Sequence, residues 1–433
     1  MDPDLAGWVA RSLGGTITSA RRTATGGSRT TYLVDVVRDT HAMPVVVRVE
    51  GEGSFTGTEL SLAREAVAYR ALAGTPVPVP AVLASSEDGS ALILERLPGT
   101  DDLSTLDAVD RDSVFAHFVT VLADLHAIDP DDLDLPGFAR PRAAEDHARL
   151  DIEMWQRLAA GVDDLDPLLA YAGAWLHAHP PPVVRRTCFV QGDTGPGNFL
   201  ASDGRVTGLV DMEFAHIGDP VDDVAWVLTR LAGGIADPDT FLAAYEERSG
   251  IIIDRASLAY YELAVQYRCA VTTSLAVGRG GGARGWAPYL LVTQRYLAGI
   301  ARGLSSLAGV TDPEVYEPVS AETPRSRMFD RLLEDVRVAV RAIGDEDVRA
   351  ATRDAQILVH YLRANDRYGA AVEVADATDR RALLGHAGDE PAGLLAAAER
   401  AGAAGDLDML AYLLRRRRRM AILWRTLLDR PRR

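Results

Sequence analysis

Two short segments constrain this chain most, because together they demand a tight loop, two strands and three polar side chains at fixed spacing. Residues 189–198 read Phe-Val-Gln-Gly-Asp-Thr-Gly-Pro-Gly-Asn, and residues 209–213 read Leu-Val-Asp-Met-Glu. The glycines and the proline of the first segment predict a turn after a short apolar strand. The second segment is an apolar strand that ends in a carboxylate. We therefore expect a strand–loop–strand unit that carries Asp193, Asn198 and Asp211.

These three side chains have the chemistry that phosphoryl transfer from a nucleotide requires. That reaction uses one carboxylate to orient or deprotonate a hydroxyl, and an amide oxygen and a second carboxylate to hold a metal ion. Asp193 fits the catalytic role, and Asn198 and Asp211 fit as Mg²⁺ ligands, with Glu213 as a further candidate. A loop carboxylate, a loop amide and a solvated strand end are the alternative interpretations, but the combined spacing favours the functional one.

Composition narrows the class of protein. Of the 433 residues, 47% are hydrophobic and 25% are charged, which is typical of a chain with folded cores and about three domains. The net charge of −16 disfavours binding to nucleic acid. All 46 basic residues are arginine, so a Walker A loop, which needs lysine, is excluded. Any grip on nucleotide phosphates must therefore come from arginine.

The compartment is predicted from what the sequence lacks. Two distant cysteines, Cys188 and Cys269, cannot build a disulfide framework or a zinc cluster. The first residues lack the basic and apolar regions of a signal peptide. No apolar run approaches the ~18 residues of a spanning helix. We expect a cytoplasmic protein without nucleic-acid or membrane partners, and the sequence leaves an oligomer open.

Hydrophobic periodicity separates a β-rich beginning from a helical remainder. Residues 15–50 contain three stretches typical of strands, and residues 58–73 repeat apolar side chains at helical spacing. Residues 91–95 form a further strand after an Asp-Gly turn signal. Helical patterns dominate from residue 105 to about residue 310, interrupted by the strand–loop–strand unit.

Beyond residue 311 the composition changes. A segment rich in Pro, Ser, Thr and Glu is typical of a linker, and helical patterns then resume at 328–343, 346–364, 392–404 and 407–428. The sequence thus predicts an α+β chain whose parts are a β-rich lobe at 1–97, a helical lobe with the catalytic and metal loops at 98–311, a linker at 312–325 and an all-α domain at 326–433.

This order of elements and two motifs resemble the aminoglycoside phosphotransferase-like kinases, which have the two-lobed protein-kinase-like fold. The motifs are Gln191-Gly-Asp-Thr-Gly-Pro-Gly-Asn198 and Asp211-Met-Glu-Phe-Ala-His-Ile-Gly-Asp-Pro-Val-Asp-Asp-Val-Ala-Trp226. The resemblance covers about residues 10–310 and is closest to the kinase-like domains of some acyl-CoA dehydrogenases. Gln191 stands where many members have His, at a position that is usually structural. Residues 326–433 resemble a small helical domain of unknown function.

The resemblance also implies a nucleotide site. A loop over the phosphates, a phosphate-binding Arg48 in place of the usual Lys, its acidic partner on the next helix and a hinge for the adenine edge are expected. The corresponding residues are Gly26, Gly27, Ser28, Arg48, Glu65, Glu95 and Leu97. No hinge side chain distinguishes ATP from GTP. Asp219 and Asp223 of the second motif are expected to brace the metal loop rather than to react.

The implied activity is Mg²⁺-dependent transfer of the γ-phosphate of ATP or GTP to a hydroxyl of a small molecule, such as a hydroxylated acyl thioester or another metabolite. The alternative is a pseudokinase, or a nucleotide-binding regulatory module that acts through the helical C-terminal domain. A protein kinase is disfavoured because Asp-Phe-Gly, His-Arg-Asp and Ala-Pro-Glu are absent. The run Arg415–Arg419 allows a nucleic-acid or membrane role, but its apolar flanks favour an amphipathic helix whose arginines meet the chain's own acidic surface.

Overall fold

The computed structural model divides the chain into two compact units, which we describe separately. The first comprises Met1–Asp151 and Pro181–Glu262, and the second comprises Ile152–Pro180 and Leu263–Arg433. The residues that the structure describes are 1–23, 29–51, 58–181, 183–231, 236–278, 286–311, 313–315, 318, 322–385 and 390–429.

A five-stranded antiparallel sheet forms the N-terminal part of the first unit. Its strands are β1 (Thr16–Arg22), β2 (Arg29–Arg38), β3 (His41–Glu50), β4 (Val82–Ser85) and β5 (Ala91–Glu95), in the order β1-β2-β3-β5-β4. An additional helix, α1 (Pro3–Leu13), was not predicted. Asp2 caps the start of this helix, because its carboxylate accepts the N–H of Asp4 at 2.8 Å. Val9 of the helix packs in the core of the sheet.

The alternation of β3 decides which side chains face the site. Val45 and Val47 are fully buried in the core that contains α1. Successive side chains of a strand point to opposite faces, so Arg48 leaves the sheet on the other side. There it meets Glu65 of α2 (Leu62–Leu72), with an Nη1–Oε1 distance of 2.9 Å. The pleat of β3 therefore directs Arg48 to this face of the sheet, and α2 supplies its partner Glu65.

The rest of the first unit carries the predicted strand–loop–strand unit. β6 (Cys188–Val190) pairs with β9 (His216–Gly218), and β7 (Phe199–Ser202) pairs with β8 (Arg205–Leu209), both antiparallel. The helices around them are α3 (Ala108–Ala127), α6 (Pro220–Leu231) and α7 (Pro238–Ser249). The loop between β6 and β7 holds Asp193 and Asn198, and Asp211 follows β8.

The described part of the second unit contains helices and connections but no strand. Two of its helices, α4 and α8, start in the first unit. The set is α4 (Asp146–Ala159), α5 (Pro167–Ala178), α8 (Arg255–Gly278), α9 (Trp286–Ala308), α10 (Ser326–Ala342), α11 (Glu346–Leu384), α12 (Pro391–Ala404) and α13 (Leu407–Leu428). α11 and α13 share a core in which the rings of Tyr361 and Trp424 lie 4.7 Å apart. None of the described helices is long and apolar enough to cross a membrane.

The predicted strands and most predicted helices are present, and one prediction needs correction. The helix predicted at 346–364 continues to Leu384. Asn365 and Gly369 weaken the helical pattern there, but Tyr368 and Val372 pack into the core shared with α13, and this burial outweighs propensity. The predicted division into lobes, linker and C-terminal domain stays a prediction.

Candidate active site

Asp193 is held from two sides in the loop after β6. Asn198 donates its Nδ2 hydrogens to Asp193 Oδ2 at 2.6 Å and to the Asp193 carbonyl at 2.7 Å. Arg230 of α6 binds Oδ1 of the same carboxylate and donates to the Pro196 carbonyl at 3.0 Å. A carboxylate oxygen has two lone pairs, so each oxygen of Asp193 can still accept a hydrogen bond from a substrate hydroxyl. Sequence reasoning did not identify Arg230, because nothing in its surroundings in α6 distinguishes it.

Asp223 fixes the backbone of this loop, whereas the sequence predicted it to brace the metal loop that follows Asp211. Its two oxygens accept the N–H groups of Gln191 and Gly192, each at 2.9 Å. His126 Nε2 lies 3.1 Å from the same carboxylate, and its Nδ1 lies 2.7 Å from the hydroxyl of Tyr245. His126, Asp223 and Tyr245 are buried, so this chain of hydrogen bonds has a structural rather than a catalytic role.

Asp211 lies beside Asn198 because backbone hydrogen bonds join their segments. The N–H of Val210 donates to the carbonyl of Asn198 at 3.0 Å, and Gln191 Nε2 donates to the carbonyl of Val210 at 2.7 Å. Asp211 itself adopts the left-handed conformation, with φ 64° and ψ 60°, and its N–H donates to the Tyr69 hydroxyl of α2 at 3.0 Å. The structure thus brings the two predicted metal ligands together, and Gln191 is the structural residue that was expected.

Five buried or half-buried charges form a cluster at the same place. Arg48 lies 2.9 Å from Glu65 and 2.7 Å from Asp211. Arg29, at the start of β2, lies 2.9 Å from Glu65 and 2.8 Å from Glu213. We call these residues the five-charge cluster. It contains the predicted pair of Arg48 and Glu65, and it adds Arg29, which the sequence did not single out.

The environment shifts the pKa values of the site carboxylates in opposite directions. Burial raises the pKa of Asp193, although the positive charge of Arg230 opposes the shift. Burial also acts to raise the pKa of Asp211, but the charge and hydrogen bond of Arg48 outweigh it, and the net shift is downward. Burial and the charge of Asp211 raise the pKa of Glu213 despite its contact with Arg29. A carboxyl with a raised pKa beside one with a lowered pKa is an arrangement suited to proton transfer.

The predicted loop and hinge residues are placed in part. Gly26, Gly27 and Ser28 lie outside the described residues. Glu95 is the last residue of β5, and its carboxylate accepts the N–H of Ala81 at 3.3 Å.

Leu97 follows β5 and packs over Gly208 of β8, where an added Cβ would lie 2.1 Å from Leu97 Cδ1. The segment predicted as the hinge therefore borders the hairpin that leads to Asp211.

The donor set suits Mg²⁺ at two of the three predicted ligands. Asn198 Oδ1 and Asp211 Oδ2 accept no hydrogen bond from the described residues, and both are hard oxygen donors. Glu213 Oε2 is engaged by Arg29, so its role as a ligand stays a prediction that requires this pair to open. Within the described ranges, no group of three or more His, Cys, Asp or Glu side chains is arranged to hold a metal. A magnesium ion here would be held by the oxygens of Asn198 and Asp211.

Curated relatives share part of this chain. Acyl-CoA dehydrogenase family member 10 of Mus musculus is 28% identical over 195 residues, which is 42% of this chain and 18% of that protein. Acyl-CoA dehydrogenase family member 11 of Homo sapiens is 25% identical over 274 residues, which is 60% of this chain and 33% of that protein. The chain thus spans a third or less of the length of these two relatives.

Solved structures share its fold. A structure from Ralstonia eutropha JMP134 that is assigned to the aminoglycoside phosphotransferases has a TM-score of 0.54 at 21% identity, over 70% of this chain and 97% of its own. A thermostable mutant of aminoglycoside phosphotransferase APH(4)-Ia in its apo form has a TM-score of 0.51 at 19% identity, over 70% of this chain and 99% of its own. The model of the phosphotransferase enzyme family matches residues 19–261, which include every residue of the site above, and the chain therefore belongs to that family.

Proposed function

We propose that this protein transfers the γ-phosphate of ATP or GTP to a hydroxyl of a small molecule with the help of Mg²⁺. One observation carries the proposal. A single amide, Asn198, contacts Asp193 through its nitrogen at 2.6 Å and lies beside Asp211 through the hydrogen bond from Val210 at 3.0 Å. The base and the metal ligands are therefore built as one unit, which phosphoryl transfer requires.

Asp193 would accept the hydrogen bond of the acceptor hydroxyl and align it with the γ-phosphate. Its raised pKa strengthens it as a base, while Arg230 and Asn198 fix its orientation. Most of the rate enhancement would come from positioning, because the chemistry needs little beyond alignment and charge stabilisation.

Asn198 and Asp211 would hold Mg²⁺ through the two oxygens that accept no hydrogen bond from the part of the chain that the structure describes. Mg²⁺ held by these residues would supply positive charge that stabilises the charge developing on the phosphates during transfer. Arg48 would contact the phosphates of the nucleotide from the sheet, with Glu65 and Asp211 keeping its guanidinium in place. Gly26, Gly27 and Ser28 are proposed to cover the phosphates, and Glu95 to Leu97 to meet the base.

One contact favours a second candidate, a nucleotide-binding regulatory module. Arg48 lies 2.7 Å from Oδ1 of Asp211, so a cation already neutralises the carboxylate that the metal would use. If this pair persists with nucleotide bound, the protein would bind nucleotide without needing Mg²⁺ and without turnover. The two candidates therefore differ in their dependence on the metal.

The deciding experiment measures thermal unfolding with ATP or GTP, with and without Mg²⁺, and then ADP or GDP release over a panel of hydroxylated metabolites. Nucleotide at about 100 times its Kd stabilises a folded protein by about 2.7 kcal/mol. We expect Mg²⁺-dependent stabilisation and release of nucleoside diphosphate with at least one acceptor.

Asp211→Asn should remove the metal dependence, whereas Asp203→Asn should not. Asp203 is a matched control, because it is also an aspartate in the left-handed conformation, with φ 52°, in the same hairpin region. Nucleotide binding that ignores Mg²⁺ in both variants would support the regulatory module, and no nucleotide binding at all would overturn both candidates.

A further inference from the structure

The backbone of Asp211 adopts a conformation that an aspartate rarely takes outside a tight turn. In the described part of the chain, the non-glycine residues with positive φ are Asp39, Asp203 and Asp211. Asp39 and Asp203 lie in the two-residue turns that join β2 to β3 and β7 to β8, where such a φ is common. Asp211 instead follows β8 and precedes the short helical turn Met212–Phe214. Its conformation therefore needs support from outside its own segment.

The peptide unit that joins Val210 to Asp211 is held on both edges by side chains from distant segments. Gln191 Nε2, in the loop after β6, donates to the carbonyl of Val210 at 2.7 Å. The N–H of Asp211 donates to the Tyr69 hydroxyl of α2 at 3.0 Å. A peptide unit is planar, so hydrogen bonds on its two edges fix its orientation and restrict the φ of Asp211.

The helix α2 also holds the side chain of Asp211, by an indirect route. Glu65 lies one helical turn before Tyr69, on the same face of α2. Glu65 lies 2.9 Å from Arg48, and Arg48 lies 2.7 Å from Asp211 Oδ1. Glu65 and Tyr69 are both buried. One turn of α2 therefore holds Asp211 twice, by its backbone through Tyr69 and by its carboxylate through Arg48.

These two contacts would respond differently to a nucleotide. In the proposed function Arg48 contacts the phosphates, so its pair with Asp211 must be shared or released. The Tyr69 hydroxyl is neutral and buried, and a phosphate would not draw it away. Its hydrogen bond can therefore persist and keep Asp211 beside Asn198 while Arg48 moves.

We propose that Tyr69 is a positioning residue for the metal site. Its hydroxyl keeps the backbone of Asp211 in the left-handed conformation in which the carboxylate lies beside Asn198 and is able to hold Mg²⁺. Tyr69 acts through Asp211 and not on the reacting atoms. This inference rests on the proposed function, because the role it assigns is in the binding of Mg²⁺ together with nucleotide.

The test is calorimetry of the full chain with the non-hydrolysable imido analogues of ATP and GTP, in Mg²⁺ and in EDTA. We call the ratio of the two Kd values the Mg²⁺ effect. Tyr69→Phe removes the hydroxyl and keeps the buried ring. The net contribution of one hydrogen bond corresponds to about a factor of five in an equilibrium constant. The Mg²⁺ effect should therefore fall about fivefold, while the Kd in EDTA changes by less than about twofold.

Tyr171→Phe is the matched control. Tyr171 is also fully buried, and its hydroxyl donates to the carbonyl of Asp406 at 3.1 Å in the second unit. This variant loses a buried hydrogen bond of the same kind, far in the sequence from the metal ligands, and should leave the Mg²⁺ effect unchanged.

A double-mutant cycle separates positioning of Asp211 from general packing of the ring. Asp211→Asn removes the carboxylate that Tyr69 is proposed to position. In that background, Tyr69→Phe should leave both Kd values unchanged within about twofold. An equal loss of affinity with and without the Asp211 carboxylate would overturn the proposal, since Tyr69 would then act on the nucleotide by another route.

Hydrogen exchange in the unmodified protein is a second measurement, which does not depend on how any variant folds. The amide of Asp211 should be protected without ligand and should stay protected in the complex with Mg²⁺ and nucleotide analogue. Loss of that protection on binding would overturn the proposal. A Mg²⁺ effect in the unmodified protein that Tyr69→Phe leaves within twofold would overturn this proposal alone. An unmodified protein without any Mg²⁺ effect would overturn the proposed function and this proposal together.

Discussion

Arginine serves different purposes in the two compact units. In the first unit, Arg29 and Arg48 are isolated in the sequence, but both are largely buried and connect three carboxylates of the five-charge cluster. In the second unit, the run on α13 is the most conspicuous charge pattern of the chain. Its members contact polar groups of their own unit: Arg415 and Arg419 bind Asp379, Arg416 lies near Asp166 and Asp376, Arg417 binds Gln294 and Arg418 binds the Pro313 carbonyl.

This difference between the two units shows that the run of arginines on α13 is engaged in contacts within its own unit. The prediction that arginines of the run meet the chain's own acidic groups is confirmed, and several of these pairs are partly exposed. Arg29 and Arg48 have carboxylate partners within 3 Å and little exposure, so their loss leaves buried charges behind.

The largest effect is expected at Asp193. Asp193→Asn removes the carboxylate that would accept the proton of the acceptor, while the amide keeps the shape of the side chain and one of its two acceptor oxygens. Turnover should fall about 10² to 10⁴-fold, with the affinity for nucleotide nearly unchanged. Steady-state kinetics and calorimetry on the same preparation measure both quantities. Unchanged turnover would remove Asp193 from the catalytic role.

The comparison itself is tested by removing one arginine from each region. Arg29→Gln leaves Glu65 and Glu213 buried with one cation fewer, and we expect a loss of about 3 to 5 kcal/mol in the free energy of unfolding. Arg415→Gln should cost less than about 1 kcal/mol, because its pair with Asp379 is partly exposed and Arg419 still binds that carboxylate at 2.7 Å. Denaturant titration gives both values. Equal losses would mean that the two groups of arginines do not differ in kind.

The sequence predicted part of this site and missed part of it. The spacing of Asp193, Asn198 and Asp211 was readable because loop chemistry is local, and the structure brings these residues together. Arg29 and Arg230 were not predicted, because their importance comes from carboxylates that are distant in the sequence. Glu65 and Glu213 lie 36 and 184 positions from Arg29, and Asp193 lies 37 positions from Arg230. Local sequence patterns cannot predict contacts between residues that are so far apart in the chain.

The fold shows the same limit. Alternation and turn signals predicted the strands of the sheet, since each signal lies within a few residues. α1 was missed although Asp2, Pro3 and Gly14 form ordinary helix boundary signals. The second half of α11 could not be predicted, because it depends on packing against α13 rather than on its own helix propensity.

A smaller effect is expected from the pH response of Asp219. Burial raises the pKa of this carboxyl to about 7, and its Oδ1 accepts the N–H of Val221 at 3.0 Å at the start of α6. A folded-state pKa above the unfolded value of 3.8 means that the folded protein holds the proton more tightly. Stability from this group is therefore present at low pH and is lost as pH rises towards 7.

Asp219→Asn should remove that loss, because the amide keeps the acceptor oxygen and does not ionise. We expect the unmodified protein to lose about 2 to 3 kcal/mol more than the variant between pH 5 and pH 8. Denaturant midpoints across this range measure the difference. Parallel pH profiles would show that Asp219 is ionised throughout and that its burial costs less than the geometry indicates.

The smallest effect concerns the second unit and the predicted domain boundary at 312–325. An added Cβ on Gly402 of α12 would lie 2.3 Å from the carbonyl oxygen of Tyr171 on α5. A backbone atom cannot move aside as a side chain can, so Gly402→Ala should destabilise the protein by about 1 to 2 kcal/mol, after the gain in helix propensity offsets part of the strain. Gly344→Ala is the control, because no atom of the described residues lies within 4 Å of its added Cβ.

If the second unit is structural where the first is chemical, Gly402→Ala should lower the melting temperature without changing the affinity for Mg²⁺-nucleotide. Gly344→Ala should leave both quantities nearly unchanged. A stable Gly402→Ala variant would mean that α12 does not pack this closely on α5. A destabilised variant would mean that residues on both sides of the predicted boundary at 312–325 share one core, so truncation at residue 312 would expose the face of α5 that Gly402 now covers.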